Sequence, residues 1–177
     1  ASVKYIGDYA FYGCASTNFG GVEYNLVIPE GTTYIGRSAF NGCTYVVSAS
    51  IPGSVKTIGP YAFYNCPFLG ATVDITVGTG ETDEAGNPIT PVISVQGFVA
   101  LGEGIETIGD RAFQGCIKLT SVDIPDSVTS LGARVFYKCE SLKNVTLGSG
   151  ITSITDYMFY KCTALESVKA SDHLETI

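Results

Sequence analysis

The segment IGDRAFQGCIKLTSVDIP, Ile108 to Pro125, is one of a series. Its first nine residues return as IGDYAFYGC (Ile6 to Cys14), IGRSAFNGC (Ile35 to Cys43), IGPYAFYNC (Ile58 to Cys66), LGARVFYKC (Leu131 to Cys139) and ITDYMFYKC (Ile154 to Cys162). A segment that recurs is a building unit, so the chain must be an array of units before any motif in it is read as a site. Counted from the residue three before the Ile, units open at Val3, Thr32, Val55, Ile105, Val128 and Ile151, and a seventh at Leu174 stops at Ile177. The step is 23 residues from Thr32 to Val55 and from Ile105 through Val128 and Ile151 to Leu174. The first step is 29 residues, with six extra expected within Ala15 to Tyr24, and the step from Val55 to Ile105 is 50, or 23 plus an insertion of 27.

A period in the twenties with one short strand and one compact turn per unit is the signature of a leucine-rich solenoid. In the fourth unit Leu119, Val122 and Ile124 end with an apolar pair at period two, which reads as a strand pointing alternate side chains inward. Ala112, Phe113 and Cys116, spaced by one and three, suit one turn of helix or 3₁₀ structure. Before the Cys stand Gly13, Gly42, Asn65, Gly115, Lys138 and Lys161, where Gly and Asn tolerate a left-handed backbone. Pro29, Pro52 and Pro125 end their strands. The expected fold is an α/β repeat solenoid of about six coils over residues 1–177, with the Phe and Cys rows stacked as separate ladders in a continuous core. Both ends fall inside a unit without a polar cap, so the chain reads as a fragment of a longer protein.

The periodicity also bears on the cysteines. Each of the six occupies the same template position, no Cys-x2-Cys pair occurs, and His173 is the one histidine. A zinc site is not expected. Stacked neighbours in coils ~5 Å apart come within disulfide range, which keeps disulfides as the alternative, but the cysteines are read as buried thiols behaving as small hydrophobes. A net charge of −7 with ten Lys and Arg argues against nucleic acid and anionic membranes as partners. No apolar run reaches the ~20 residues of a membrane span. No catalytic constellation is apparent. His173 has no partner motif, and Leu147-Gly-Ser-Gly150 lacks the Lys and helix of a phosphate loop. Neither cofactor nor metal is expected.

The pattern Ile-Gly-x2-Ala-Phe-x2-Cys-x2-Leu-x2-Val-x-Ile-Pro resembles the BspA-like subfamily of leucine-rich repeats, over all but the two insertions. The resemblance implies a secreted or surface-exposed bacterial protein, non-catalytic, that binds protein or glycan partners on a host or on neighbouring cells. The alternative is a structural spacer or self-associating solenoid that displays other domains.

Three surfaces are candidates for such a partner. The concave strand face carries Ser48, Ser50, Ser121, Asp123, Asn144, Thr146, Ser167 and Lys169, with Asn25 and Val27 at its start, and shows no aromatic anchor. The convex side carries Tyr12, Tyr64, Tyr137 and Tyr160 directly after the core Phe, and Tyr9, Tyr61 and Tyr157 two before it. Tyr brings large contact area at small entropy cost. The third is the insertion, placed at about residues 76–98. Val73, Ile75 and Val77 alternate on one side of an acidic turn, Ile93 and Val95 on the other, which reads as a protruding β-hairpin. Asp83, Glu84 and Asn87 lie near its tip, at spacings that match no calcium loop.

Overall fold

The computed structural model describes residues 3–14, 25–76 and 92–176. Among these residues the strands, in chain order, are β1 (Tyr5–Ile6), β2 (Asn25–Val27), β3 (Tyr34–Ile35), β4 (Ser48–Ile51), β5 (Thr57–Ile58), β6 (Thr72–Thr76), β7 (Val92–Gln96), β8 (Val99–Leu101), β9 (Thr107–Ile108), β10 (Ser121–Asp123), β11 (Ser130–Leu131), β12 (Asn144–Thr146) and β13 (Ser167–Lys169). They form a leucine-rich solenoid with parallel pairing between successive coils. The period-two strands stack as β2-β4-β8 and β10-β12-β13, and the two-residue strands stack as β1-β3-β5-β9-β11. Corresponding template residues face each other, as in Ile6↔Ile35↔Ile58↔Ile108↔Leu131.

Between each two-residue strand and its Cys the chain makes overlapping turns instead of the expected helical turn. The N–H groups of Ala10, Tyr12 and Cys14 donate back three residues, to Gly7, Tyr9 and Phe11. The intervening Tyr9, Phe11 and Gly13 donate across to Arg37, Ala39 and Asn41 of the next coil at 2.8, 2.7 and 2.7 Å. The same alternation returns at Arg111, Phe113 and Gly115, which donate to Ala133, Val135 and Tyr137. A helix is excluded because two residues per coil are left-handed. One stands before the Cys (φ 56° at Asn65, 59° at Lys138), and the other two before the Phe, at Tyr9, Ser38, Tyr61, Arg111, Arg134 and Tyr157, none of them glycine. Each such residue costs ~1–2 kcal/mol, and the bonds it directs to the next coil return ~0.5–1.5 kcal/mol each. The turn side is therefore itself a ladder.

The core fills the space between these ladders. Phe11, Phe40, Phe63, Phe113, Phe136 and Phe159 form one stack, with successive ring centroids 5.2–6.0 Å apart and planes within 13° of parallel. The six cysteines are free, and all but Cys14 are buried. Each buried thiol donates to the carbonyl of a Phe in the preceding coil: Cys43 to Phe11, Cys66 to Phe40, Cys116 to Phe63, Cys139 to Phe113 and Cys162 to Phe136, at 3.0–3.3 Å. The row thus has a polar role beyond filling space. Burial pushes the Cys43 and Cys162 thiols up to about 11 and raises Cys66, Cys116 and Cys139 further.

The third coil departs from the template where the sequence shows its insertion. β6 and β7 pair antiparallel, Val73 opposite Val95 and Ile75 opposite Ile93. The coil's own strand is β8, with Val99 beside Ala49 and Leu101 beside Ile51. Val73 and Ile75 therefore belong to the hairpin and not to the repeat. Counting back from Val99 places the 27 inserted residues at 71–97 rather than 76–98, between Gly70 and Phe98. The base is closed by Gly97 N–H donating to Ala71 at 2.8 Å, by the Gln96 amide donating to the Gly70 carbonyl, and by Gly70 N–H donating to Val47 at 2.8 Å. It joins the chain at the step where the strand ladder is interrupted, since β8 and β10 belong to separate sheets.

Candidate partner-binding site

On the strand face, register brings the sequence candidates into rows. Ser121, Asn144 and Ser167 align across three coils, as do Asp123, Thr146 and Lys169. All are exposed except Ser167, which is half-buried. In the first coils Asn25 pairs with Ser48 and Val27 with Ser50. Ser48, expected on the open face, is 5% exposed. Ala49 N–H donates to the Phe98 carbonyl at 2.9 Å, which sets Phe98 at the register position beside Ser48. Phe98 is 44% exposed and Val27 66%. This face thus has the aromatic residue that the sequence reading denied it. The sign was available in the count: 27 inserted residues after Gly70 make Phe98 the equivalent of Ser121.

On the turn side the tyrosines do not form unbroken rows. Asn41 separates Tyr12 from Tyr64, and Gln114 separates Tyr64 from Tyr137. Only in the fifth and sixth coils do two follow each other, and there Tyr137 and Tyr160 stack with centroids 5.1 Å apart and planes at 22°. Tyr157 meets Tyr160 edge-on at 5.8 Å. Cations sit over these rings: Arg134 over Tyr157 at 4.8 Å, Lys138 over Tyr137 and Lys161 over Tyr160, both at 5.8 Å. Tyr157 is 56% exposed and Tyr160 is exposed, while Tyr137 is half-buried. A second such group holds the Tyr61 ring between Arg37 and Arg111, 5.7 and 5.3 Å from its centroid, and Arg111 donates to the Tyr61 hydroxyl. Half-buried Tyr64 meets Tyr61 at 5.6 Å. Five of the ten basic residues thus lie on tyrosine rings, in a chain whose net charge is −7. Sequence reasoning found the tyrosines but not the cations, because Arg134 and Tyr157 become neighbours only through the stacking of coils 23 residues apart.

Asp83, Glu84 and Asn87 lie outside the described residues. Among the described residues no three His, Cys, Asp or Glu side chains cluster as a metal site, and no helix is long and apolar enough to cross a membrane. His173 is exposed, its backbone N–H donating to the Ser171 hydroxyl at 3.3 Å.

A solenoid of parallel coils with stacked Phe and Cys rows defines the leucine-rich repeat class. Within it, this chain belongs to the family described as BspA type leucine-rich repeat region, which matches six copies over residues 4–79 and 96–177. Among solved structures it is similar to a leucine-rich cell surface protein from Faecalibacterium prausnitzii A2-165, 30% identical with a TM-score of 0.66 over 84% of this chain and 32% of that one. It is also similar to a leucine-rich repeat protein of T. pallidum, 25% identical with a TM-score of 0.74 over 98% of this chain and 64% of that one. The chain therefore spans about a third of the first relative and less than two thirds of the second. No curated protein matches it.

Proposed function

We propose that this chain is a non-catalytic binding module of a secreted or surface-exposed bacterial protein, engaging protein or glycan partners on a host or neighbouring cell. The observation that carries this is the cluster of Tyr137, Tyr157 and Tyr160 with Arg134, Lys138 and Lys161 over their rings. Tyr and Arg are enriched in binding hot spots, and a Tyr ring brings a large contact area at small entropy cost. Nothing in the packing of the Phe stack requires cations over these rings. The strand face offers a second contact area, with Phe98 as anchor and Asp123, Asn144, Thr146 and Lys169 as polar surroundings. Kinship to a protein described as a leucine-rich cell surface protein supports the location.

The test is adhesion of the purified domain to intact epithelial cells and to immobilised matrix proteins, read by flow cytometry and surface plasmon resonance. A Tyr137→Ser/Tyr160→Ser double variant is expected to lose at least tenfold in binding with melting little changed. Binding by neither protein favours the alternative of a spacer that only displays other domains, and equal binding by both overturns the role of the tyrosine cluster and points to the strand face.

A further inference from the structure

At the corner that ends each two-residue strand, successive coils approach each other closely. Five coils carry glycine there: Gly7, Gly36, Gly59, Gly109 and Gly132. The reason is steric. A Cβ on Gly36 would stand 2.5 Å from the Asp8 nitrogen, one on Gly109 2.6 Å from the Pro60 nitrogen, and one on Gly132 2.2 Å from the Asp110 nitrogen. The sixth coil breaks the rule with Thr155.

The ladder opens at that step. Gly36, Gly59, Gly109 and Gly132 each donate their N–H to the preceding coil, to Ile6, Ile35, Ile58 and Ile108, at 2.8 Å. Thr155 makes no such bond to Leu131, and its hydroxyl donates to the Gly132 carbonyl at 2.7 Å instead. Thr33, Lys56, Glu106 and Thr129 donate in the same way to Lys4, Thr33, Lys56 and Glu106, but Thr152 makes no such bond to Thr129. On either side of the corner the coils remain joined, by Arg134 N–H to Asp156 at 2.9 Å and by the β12–β13 pairing. The wedge is local, and among the described residues it leaves the N–H groups of Thr152 and Thr155 without a protein partner.

A groove of about 220 Å³ lies at this opening, lined by the hydroxyl residues Thr129, Ser130, Thr152, Ser153 and Thr155. Leu131 and Ile151 supply its apolar lining. It has room for several water molecules at ~30 Å³ each, and so for one six-membered ring. No charged side chain lines it. Hydroxyls that both donate and accept, free backbone N–H groups, a small apolar area and no charge are complementary to one class of ligand, a neutral sugar.

We infer that the groove between the fifth and sixth coils, opened by Thr155, binds a neutral saccharide unit. This deepens the binding-module reading and rests on it, but at a site separate from the Tyr137–Tyr160 stack. The experiment titrates the domain with glucose, galactose, N-acetylglucosamine and their β-linked disaccharides, and with sialic acid as a charged control, by saturation-transfer NMR and calorimetry. Saturable binding of at least one neutral sugar is expected, weakened at least tenfold by Thr155→Gly, which lets the corner close, and by Thr152→Val/Ser153→Ala, which removes lining hydroxyls without touching the core. Tyr137→Ser/Tyr160→Ser should leave the sugar affinity unchanged. Absence of saturable neutral-sugar binding, preference for sialic acid, or full affinity in both groove variants overturns the proposal. Adhesion that depends on Tyr137 and Tyr160 alongside a flat sugar titration would keep the module reading and reject this site alone.

Discussion

Replacing Phe113 and Phe11 by Ala, one at a time, tests the stack from its middle and from its end. Phe113 is fully buried, with Phe63 at 5.4 Å on one side and Phe136 at 5.8 Å on the other. Its burial is worth ~1.5–3 kcal/mol in transfer free energy. The cavity left between two rings that the ladders hold in place brings the expected loss to ~3–5 kcal/mol. Phe11 is 48% exposed and, among the described residues, stacks on Phe40 alone, at 5.2 Å. About half the transfer free energy applies and no enclosed cavity forms, so the loss should be ~0.75–1.5 kcal/mol. Urea denaturation followed by circular dichroism gives both midpoints. Because a repeat array need not unfold in one step, amide hydrogen exchange at Phe63 and Phe113 supplies the local reading. The Phe63 N–H donates to Ala112 at 2.8 Å and that of Phe113 to Val135 at 3.1 Å, so the central variant should speed exchange on both faces of the fourth coil. Equal destabilisation by the two variants, or none by Phe113→Ala, would refute the nearest-neighbour account of the core.

Deleting residues 71–97 and joining Gly70 directly to Phe98 restores a 23-residue coil, and should change stability by no more than ~1 kcal/mol, since loop closure depends weakly on length. Collapse on deletion, seen in thermal melting, would show that the hairpin is part of the core. Gly97→Ala in the intact chain should cost ~1–3 kcal/mol, because the new Cβ would stand 2.4 Å from the Val47 carbonyl oxygen; chemical denaturation checks it. The raised thiols have a pH consequence. Burial, the largest influence on both, holds Cys43 and Cys162 protonated up to about 11, above the ordinary 9.0. The native state then retains protons that the unfolded chain releases, so this stability is fully present below pH 9 and is lost as pH rises from about 9 to about 11. Urea midpoints across that range should fall, and Cys43→Ala/Cys162→Ala should flatten the slope.

The solenoid was legible because six copies of one template leave few alternatives, and because each Phe and Cys repeats at the same place in its unit. The turn side was misread for a physical reason. Apolar residues spaced by one and three fit a helical turn, but they fit equally a run of tight turns whose alternate N–H groups point to the next coil. What separates the two is a left-handed residue two before each Phe, and Tyr61, Arg111 and Tyr157 give no sign in their side chains of φ between 55° and 60°. The insertion was legible in length but not in position, because the alternating Val73 and Ile75 mimic a repeat strand. That slip hid Phe98 from the strand face. Asp83, Glu84 and Asn87, outside the described residues, stand where the sequence reading left them.

A regular solenoid gives a partner little to distinguish one coil from the next, so selectivity in such a fold has to come from departures. The clearest ones here converge on the step from coil five to coil six. Tyr137 and Tyr160 are the one pair of successive tyrosines in the row after the Phe, and Thr155 is the one corner residue with a side chain. The second carries a cost that a featureless spacer has no need to bear: Thr155 forgoes the backbone bond that every earlier corner glycine in a stacked position makes. If the Thr155 corner were only a packing irregularity, Thr155→Gly should do nothing but restore that bond and raise the melting temperature, with sugar binding unchanged. If the step is a recognition site, the same substitution should separate the two readouts, leaving the fold at least as stable while binding is lost.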